Sequence, residues 1–249
     1  MNPATHSSHR HLRRLRLSSS PAGRLILGIS FAMRRLSWWS LRHGGLVVKR
    51  LFDLVAASVV LVLNAPLFLI VALLIKRDGG PVFFRQRRIG LHGREFMMWK
   101  FRSMCIDAEA KLAELIAKNE KAGGITFKMA DDPRITRIGR FIRRTSIDEL
   151  PQLINVLRGE MSIVGPRPPV PREVALYKAE DRRRFLAKPG LTCLWQIGER
   201  QGGLFEVSDR NAIDFEEQVE LDVNYIERQN LWHDLRIVIK TPPAMLLGK

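Results

Sequence analysis

Residues 54–75 run LVAASVVLVLNAPLFLIVALLI without a charge, and fifteen of the twenty-two are Leu, Val, Ile or Phe. An uninterrupted apolar run of that length signals a membrane segment. Asn64-Ala65-Pro66 falls at its midpoint. Pro66 has no N–H and its ring meets the carbonyl of Val62, which costs about 3 kcal/mol inside a helix. Lys49 and Arg50 precede the run, and Lys76, Arg77, Arg85, Arg87 and Arg88 come after it. A spanning helix carries its positive excess on one side, whereas here both ends look cytoplasmic. Two readings stand: a proline-kinked span, or a helix–break–helix that enters and leaves one leaflet. In the second, arms 54–63 and 67–75 are each about 14 Å long, half of a ~30 Å hydrocarbon core.

Beyond this run the pattern changes to short elements. Residues 81–104 hold two apolar-aromatic stretches around Gly90-Leu91-His92-Gly93, which predicts a β-hairpin. The hairpin is expected to bring Arg85, Arg88, Lys100 and Arg102 to one region. Leu112, Leu115 and Ile116 predict an amphipathic helix over 105–120, ended by Gly123-Gly124. Ile135, Ile138 and Ile142 share one face of a helix over 134–144, with Arg137, Arg140 and Arg144 opposite. Leu150, Leu153, Ile154 and Leu157 recur at helical spacing. Residues 159–172 read as a rigid Pro-rich loop and 188–203 as a Gly-punctuated loop. Helices over 211–229 and 231–247 complete the chain, the last with Leu235, Val238, Ile239 and Leu246 available to the core or to a membrane.

The chain has 249 residues, 46% of them hydrophobic and 27% charged, which excludes a disordered chain. Two cysteines, Cys105 and Cys193, exclude a disulfide-stapled scaffold and a Cys-rich zinc site; both are expected to be reduced core thiols. The net charge is +16, which favours polyanionic partners. Residues 1–50 contain ten Lys or Arg and no Asp or Glu. Within them, 1–24 read as a basic tail, and 25–42 as a helix suited to an anionic membrane surface.

The chemistry concentrates around Thr145-Ser146-Ile147-Asp148-Glu149-Leu150-Pro151. One reading is a capping box, Ser146 capping and Glu149 bonding back. The other makes Asp148 the N-cap, with Pro151 in the first turn. Either puts Asp148 at a helix N-terminus, where the dipole favours its ionised form and a nearby phosphate. Nucleophile, metal ligand and cap remain open for it. Arg167, between Pro166 and Pro168, is held rigidly enough for bidentate phosphate binding.

Several ordered motifs then point one way. They are Lys49-Arg50-Leu51-Phe52-Asp53, Phe84-Arg85-Gln86-Arg87-Arg88-Ile89-Gly90, Trp99-Lys100-Phe101-Arg102-Ser103-Met104 and Asp131-Asp132-Pro133-Arg134-Ile135-Thr136. Ser146 to Leu153, Met161 to Pro168 and Lys188-Pro189-Gly190-Leu191-Thr192 come next in order. Over residues 49–249 the chain resembles the bacterial sugar transferases, small monotopic phosphoglycosyl transferases. The resemblance implies an α+β, mostly helical fold with a re-entrant membrane helix, a catalytic domain with a small β-hairpin, and interfacial amphipathic helices. It implies transfer of a sugar phosphate from a UDP-sugar to undecaprenyl phosphate with release of UMP, the first membrane step of exopolysaccharide or O-antigen assembly. Asp148 matches the family nucleophile, which forms a phosphosugar-aspartate, and Glu149 matches its partner near a Mg²⁺. Arg143 and Arg167 match phosphate-holding positions, and Lys100, Arg102 and Arg88 are expected to join them.

The family often breaks its membrane helix at Ser-Pro. Here Ala65 precedes Pro66, and Asn64 is the candidate to satisfy the carbonyls freed by the break. The expected organisation is a basic extension (1–48), a re-entrant segment (49–78) and a cytoplasmic transferase domain (79–249). Longer relatives carry extra transmembrane helices and an accessory domain, so this sequence is expected to be a core-only member of the bacterial inner membrane. Membrane lipids are expected partners, nucleic acid is not, and a homodimer stays open. The competing reading is a non-catalytic, membrane-anchored basic module that binds anionic lipid or nucleic acid. It explains the charge but not the carboxylate pair followed by a rigid Arg loop.

Overall fold

In a computed structural model the structure describes residues 44–108, 110–111, 132–197 and 213–247, together with Leu25. The tail over 1–24, nearly all of the 25–42 helix, most of the 105–120 helix, Asp131 and the end of the 188–203 loop lie outside the described residues. The chain divides into two compact units, Met1–Val48 and Lys49–Lys249. The second unit carries both sheets and the helices packed on them.

The apolar run forms two helices, α1 (Gly44–Leu63) and α2 (Ala65–Lys76), bent by 61°. Pro66 lies in the first turn of α2, where a missing N–H costs little, so the break falls just before it, at Asn64. The Asn64 side chain donates from Nδ2 to the Val60 carbonyl at 2.8 Å, and its backbone N–H donates to the same oxygen at 3.0 Å. Among the described residues no single helix is long and apolar enough to cross a membrane, while the bent pair passes that test together. Ala57, Val71 and Ile75 are buried; Val55, Val59, Val62, Leu63, Leu69, Ile70 and Leu73 are exposed.

Lys49 and Arg50 do more than flank this run. Lys49 Nζ lies 2.5 Å from Asp234 Oδ2, and Tyr225 Oη donates to Asp234 Oδ1 at 2.7 Å, with the Val164 carbonyl 3.0 Å from the same hydroxyl. Arg50 donates to the last-turn carbonyls Val156 and Leu157 at 2.6 and 2.9 Å. Asp53, 2% exposed, accepts from the Ile163 N–H at 3.1 Å. These charges lock the base of α1 to the domain. The partners lie more than a hundred residues away in sequence, so the local pattern held no sign of them.

The hairpin forms as expected. β1 (Phe83–Ile89) pairs antiparallel with β2 (Glu95–Phe101) in the register Phe84↔Lys100 and Arg88↔Phe96. A single 3₁₀ turn, Leu91–Gly93, joins them, with His92 and Gly93 at positive φ. Alternation sets the faces. Phe83 and Phe101 stack at 5.3 Å, and Phe101 meets Phe68 of α2 at 5.2 Å. Phe96 and Met98, on the other face, enter the main core with Leu153, Val156, Met161 and Ile237. Arg88 and Lys100 share this second face. Arg85 is on the opposite face, paired with Trp99 in the register and 5.2 Å over that indole, yet it borders the same cavity as Arg88, Lys100 and Arg102.

The helix expected over 134–144 starts later, as α3 (Arg137–Arg144), because Thr136 caps it by accepting from Gly139 N–H at 2.9 Å. Arg134 is instead paired with Asp132. Along the chain come α4 (Gln152–Arg158), β3 (Ser162–Val164), α5 (Pro171–Val174) and β4 (Gly190–Thr192). β3 and β4 form a parallel pair inside what the sequence reads as two loops. The pair needs two glycines: a Cβ on Gly165 would collide with the Lys188 carbonyl, and one on Gly190 with the Gly165 backbone. The expected final helices are α6 (Phe215–Glu227), capped by Asp214, and α7 (Leu231–Leu247). Ile237 of α7 is buried, while Trp232 and Ile239 are exposed. The described architecture is mostly helical with two small sheets, consistent with the expected α+β class. Both cysteines are free, Cys193 buried and Cys105 only half-buried.

Candidate active site

Asp148 sits on a single 3₁₀ turn, Ile147–Glu149, between α3 and α4. Ser146 precedes it at φ 55, a left-handed conformation that reverses the chain after α3. Neither capping arrangement exists: the Ser146 side chain makes no cap bond, and Pro151 occupies the cap position of α4. Asp148 is 7% exposed. Burial pushes its carboxyl up to about 6, Glu149 adds to the push, and Lys100 and Arg143 pull against it. The dipole expectation of an easily ionised Asp148 is overturned, because desolvation of a buried carboxylate outweighs the field of one short helix.

Glu149 behaves oppositely. Its Oε1 lies 2.8 Å from Lys100 Nζ. Burial pushes Glu149 up, but Lys100, Arg167 and Arg88 together hold it at about 2. Adjacent carboxylates thus differ in role: one carries a charge fully balanced by cations, the other a charge that its surroundings disfavour. Such divergence marks functional carboxylate pairs.

The cations come from separate elements. Arg88 of β1 donates from Nη1 to the Pro168 carbonyl at 2.7 Å and from Nη2 to Gln86 Oε1 at 2.7 Å. Burial and neighbouring Arg167 lower it to about 10, so it stays charged at neutral pH. Arg167 comes just after β3, its guanidinium 5.8 Å from the Trp195 ring. Arg143, in the last turn of α3, is exposed at the cavity rim and acts on Asp148. Arg102 is engaged elsewhere. It donates to the Ile75 carbonyl at the end of α2 at 3.1 Å and pairs with Asp78, whose carboxyl it holds below its usual range. Arg102 also borders the cavity, with Nε and Nη1 unpartnered. Pro66 lies on α2, not among the residues bordering this cavity.

All of these cations and both carboxylates border one cavity of about 1210 Å³, large enough for a nucleotide-sized ligand. Among the described residues no group of three or more His, Cys, Asp or Glu side chains forms a metal cage. Asp148 and Glu149 still fit Mg²⁺, which binds through one or two carboxylates plus substrate phosphates. Sequence reasoning missed the far wall, where Tyr177, Arg184 and Phe215 also border the cavity. Arg184 pairs with buried Asp222. In the sequence Arg184 is one of three consecutive arginines, and nothing local distinguishes it from its neighbours.

The model of the family described as bacterial sugar transferase matches residues 45–248. The galactosyl transferase CpsE of Streptococcus agalactiae is 44% identical over 207 residues, 83% of this chain and 44% of that protein. The undecaprenyl-phosphate galactose phosphotransferase of Salmonella typhimurium is 42% identical over 202 residues, covering 80% of this chain and 40% of that protein. The exopolysaccharide production protein ExoY of Rhizobium meliloti is 42% identical over 214 residues, 84% of this chain and 90% of that protein. The chain thus spans less than half of the first two relatives and nine-tenths of the third. With the matched region embracing both sheets and helices α2 to α7, the chain belongs to the bacterial sugar transferase family.

Proposed function

We propose that the protein transfers a sugar 1-phosphate from a UDP-sugar to undecaprenyl phosphate and releases UMP. The observation that carries this reading is Asp148: a buried carboxylate with a raised pKa, on a large cavity lined by Lys100, Arg88, Arg143 and Arg167. An Asp148 oxygen attacks the sugar-bearing phosphorus. The bond to the UMP oxygen breaks, UMP takes the electron pair, and a phosphosugar-aspartate forms. A phosphate oxygen of undecaprenyl phosphate then attacks the same phosphorus and expels the Asp148 carboxylate. The covalent intermediate divides one transfer into two easier ones. With a pKa near 6, Asp148 is mostly ionised at neutral pH and more basic than an ordinary aspartate. Lys100, Arg88 and Arg167 hold the diphosphate, and Glu149 keeps Lys100 in position.

Mg²⁺ is the proposed cofactor, held by Asp148 and Glu149. When bound it neutralises diphosphate charge.

The bent α1–α2 pair is proposed to be a re-entrant hairpin, placing the domain on the cytoplasmic face of a bacterial inner membrane. The exposed apolar face of Val55, Val59, Val62, Leu69, Ile70 and Leu73 supports this. Residues 49–78 then form the membrane part and 79–249 the transferase part. A lipid acceptor would present its phosphate at the interface, beside the cavity.

UMP release by the full chain in detergent, with Mg²⁺, undecaprenyl phosphate and a panel of UDP-sugars, tests the reading. Release with at least one donor, lost in Asp148→Asn, is expected. Undiminished release in that variant, or none from folded wild type with any donor, would overturn it.

A further inference from the structure

One part of the cavity wall, an aromatic lobe, is left unassigned by the transfer chemistry. Tyr177, Arg184, Trp195, Phe215 and Gln218 border it. The Tyr177 and Phe215 rings lie 5.1 Å apart, tilted by 48°, and the Arg184 guanidinium sits 5.9 Å from each. Arg184 is fixed: Nη1 donates to Tyr177 Oη at 3.1 Å and Nη2 to Asp222. The residue is 4% exposed, and its Nε has no partner. The buried indole N–H of Trp195 has none either. Phe215 and Gln218 are one turn apart on α6, hence on one face. Gln218 donates its Nε2 to the Ile213 carbonyl at 3.2 Å, which leaves its carboxamide oxygen as an acceptor. Phe215 is half-buried and borders the cavity beside these polar groups.

The order of charges along the cavity indicates what reaches this lobe. Asp148 interacts with Lys100 and Arg143, Glu149 with Lys100, Arg167 and Arg88, and Asp222 with Arg184 and Arg167. Arg167 therefore stands between the carboxylate pair and the aromatic lobe. In an in-line displacement at phosphorus the attacking and leaving oxygens lie on opposite sides. As the Asp148 oxygen forms its bond to phosphorus, the phosphorus–oxygen bond on the far side breaks, and its electron pair leaves with the nucleotide. A phosphorus held between Lys100 and Arg167 sends that leaving group toward Arg167 and the lobe beyond it.

Resting on the proposed nucleotide-sugar donor, we infer that this lobe binds the pyrimidine base of the leaving nucleotide. Phe215 stacks on the base, and the Gln218 oxygen accepts from the base N3–H. Uracil carries a donor at N3 and cytosine an acceptor, so the same carboxamide discriminates between them.

Calorimetric binding of UMP, CMP and a UDP-sugar to the full chain in detergent tests the inference. Wild type is expected to bind UMP and the UDP-sugar and to prefer UMP to CMP. Phe215→Ala should weaken UMP and UDP-sugar by the same factor, about tenfold or more, as loss of one stacking ring does. Phe215→Leu keeps apolar volume against Tyr177 without the aromatic face, and should show the same loss if alanine destabilises the fold. Gln218→Ala should narrow the preference for UMP over CMP. If the Phe215 variants weaken the UDP-sugar and leave UMP unchanged, the lobe holds the sugar and the inference is overturned. It is equally overturned if both ligands bind as in wild type. A wild-type protein that binds neither UMP nor any UDP-sugar would reject the donor reading itself.

Discussion

Lys100 Nζ lies 2.8 Å from Glu149 Oε1, so one cation faces two adjacent carboxylates that sit in different states. Burial raises the Asp148 carboxyl to about 6 against the pull of Lys100, while Lys100, Arg167 and Arg88 overcome burial at Glu149 and hold it at about 2. Two adjacent acids are thereby separated into a fixed counter-ion and a basic nucleophile.

The first consequence is a pH dependence of activity. Attack requires ionised Asp148, so kcat/KM should fall about tenfold per pH unit below the Asp148 pKa, which is about 6 in the metal-free protein and is lowered when Mg²⁺ is held beside it. A pH–rate profile with saturating acceptor checks this. An acid limb that does not move to higher pH as Mg²⁺ is made limiting would exclude Asp148 as the titrating group.

The same shift acts on stability with a defined sign. The folded pKa of Asp148 exceeds the ordinary 3.8. Its stability contribution is therefore complete below about 4 and is lost as pH rises through about 6. Asp148→Asn should thus be more stable than wild type at about pH 8, by on the order of 2–3 kcal/mol, and the two should converge near about pH 4. Denaturant midpoints at both pH values measure it.

Removing Lys100 tests the coupling. In Lys100→Met, Glu149 loses its direct partner and rises from about 2, and Asp148 loses the cation that most lowers it. The acid limb of the rate profile should move to higher pH, and kcat should fall by roughly 10²–10³ if Lys100 also stabilises transferred charge. Lys100→Arg should recover part of both. An unmoved acid limb would show that the pair does not tune Asp148.

The anchor of α1 offers a prediction outside the site. Asp234 is fully buried and serves both Lys49 and Tyr225. Asp234→Ala leaves an ammonium and a phenol facing each other, a loss of about 3–5 kcal/mol. Lys49→Met with Asp234→Leu removes both charges and should recover most of it. Unfolding midpoints of the three proteins decide. A single variant as stable as wild type would mean the contact does not hold α1 to the domain.

How much of the fold was legible in the sequence depends on the range of the forces involved. The hairpin was legible because alternating apolar residues and a Gly-bounded turn are local signals. So were α6 and α7, long enough to show their periodicity. β3 and β4 were not, since three-residue strands display no period and their pairing depends on glycine contacts at Gly165 and Gly190. The family motifs identified Asp148, Glu149 and Arg167 as candidates. Their electrostatics were hidden, because they depend on burial and on Lys100, which lies 49 positions from Glu149. Arg85 and Arg102 do border the cavity with the other cations, but their local partners were not legible: one covers the Trp99 indole, and the other holds the end of α2.

Covalent participation of Asp148 is open to a direct measurement, single-turnover UMP release without any lipid acceptor. A rapid burst of one UMP per active site is expected, with a matching sugar-phosphate mass on the Asp148 peptide, and neither in Asp148→Asn. No UMP from an acceptor-free mixture that turns over once undecaprenyl phosphate is added, or a burst preserved in Asp148→Asn, would contradict it.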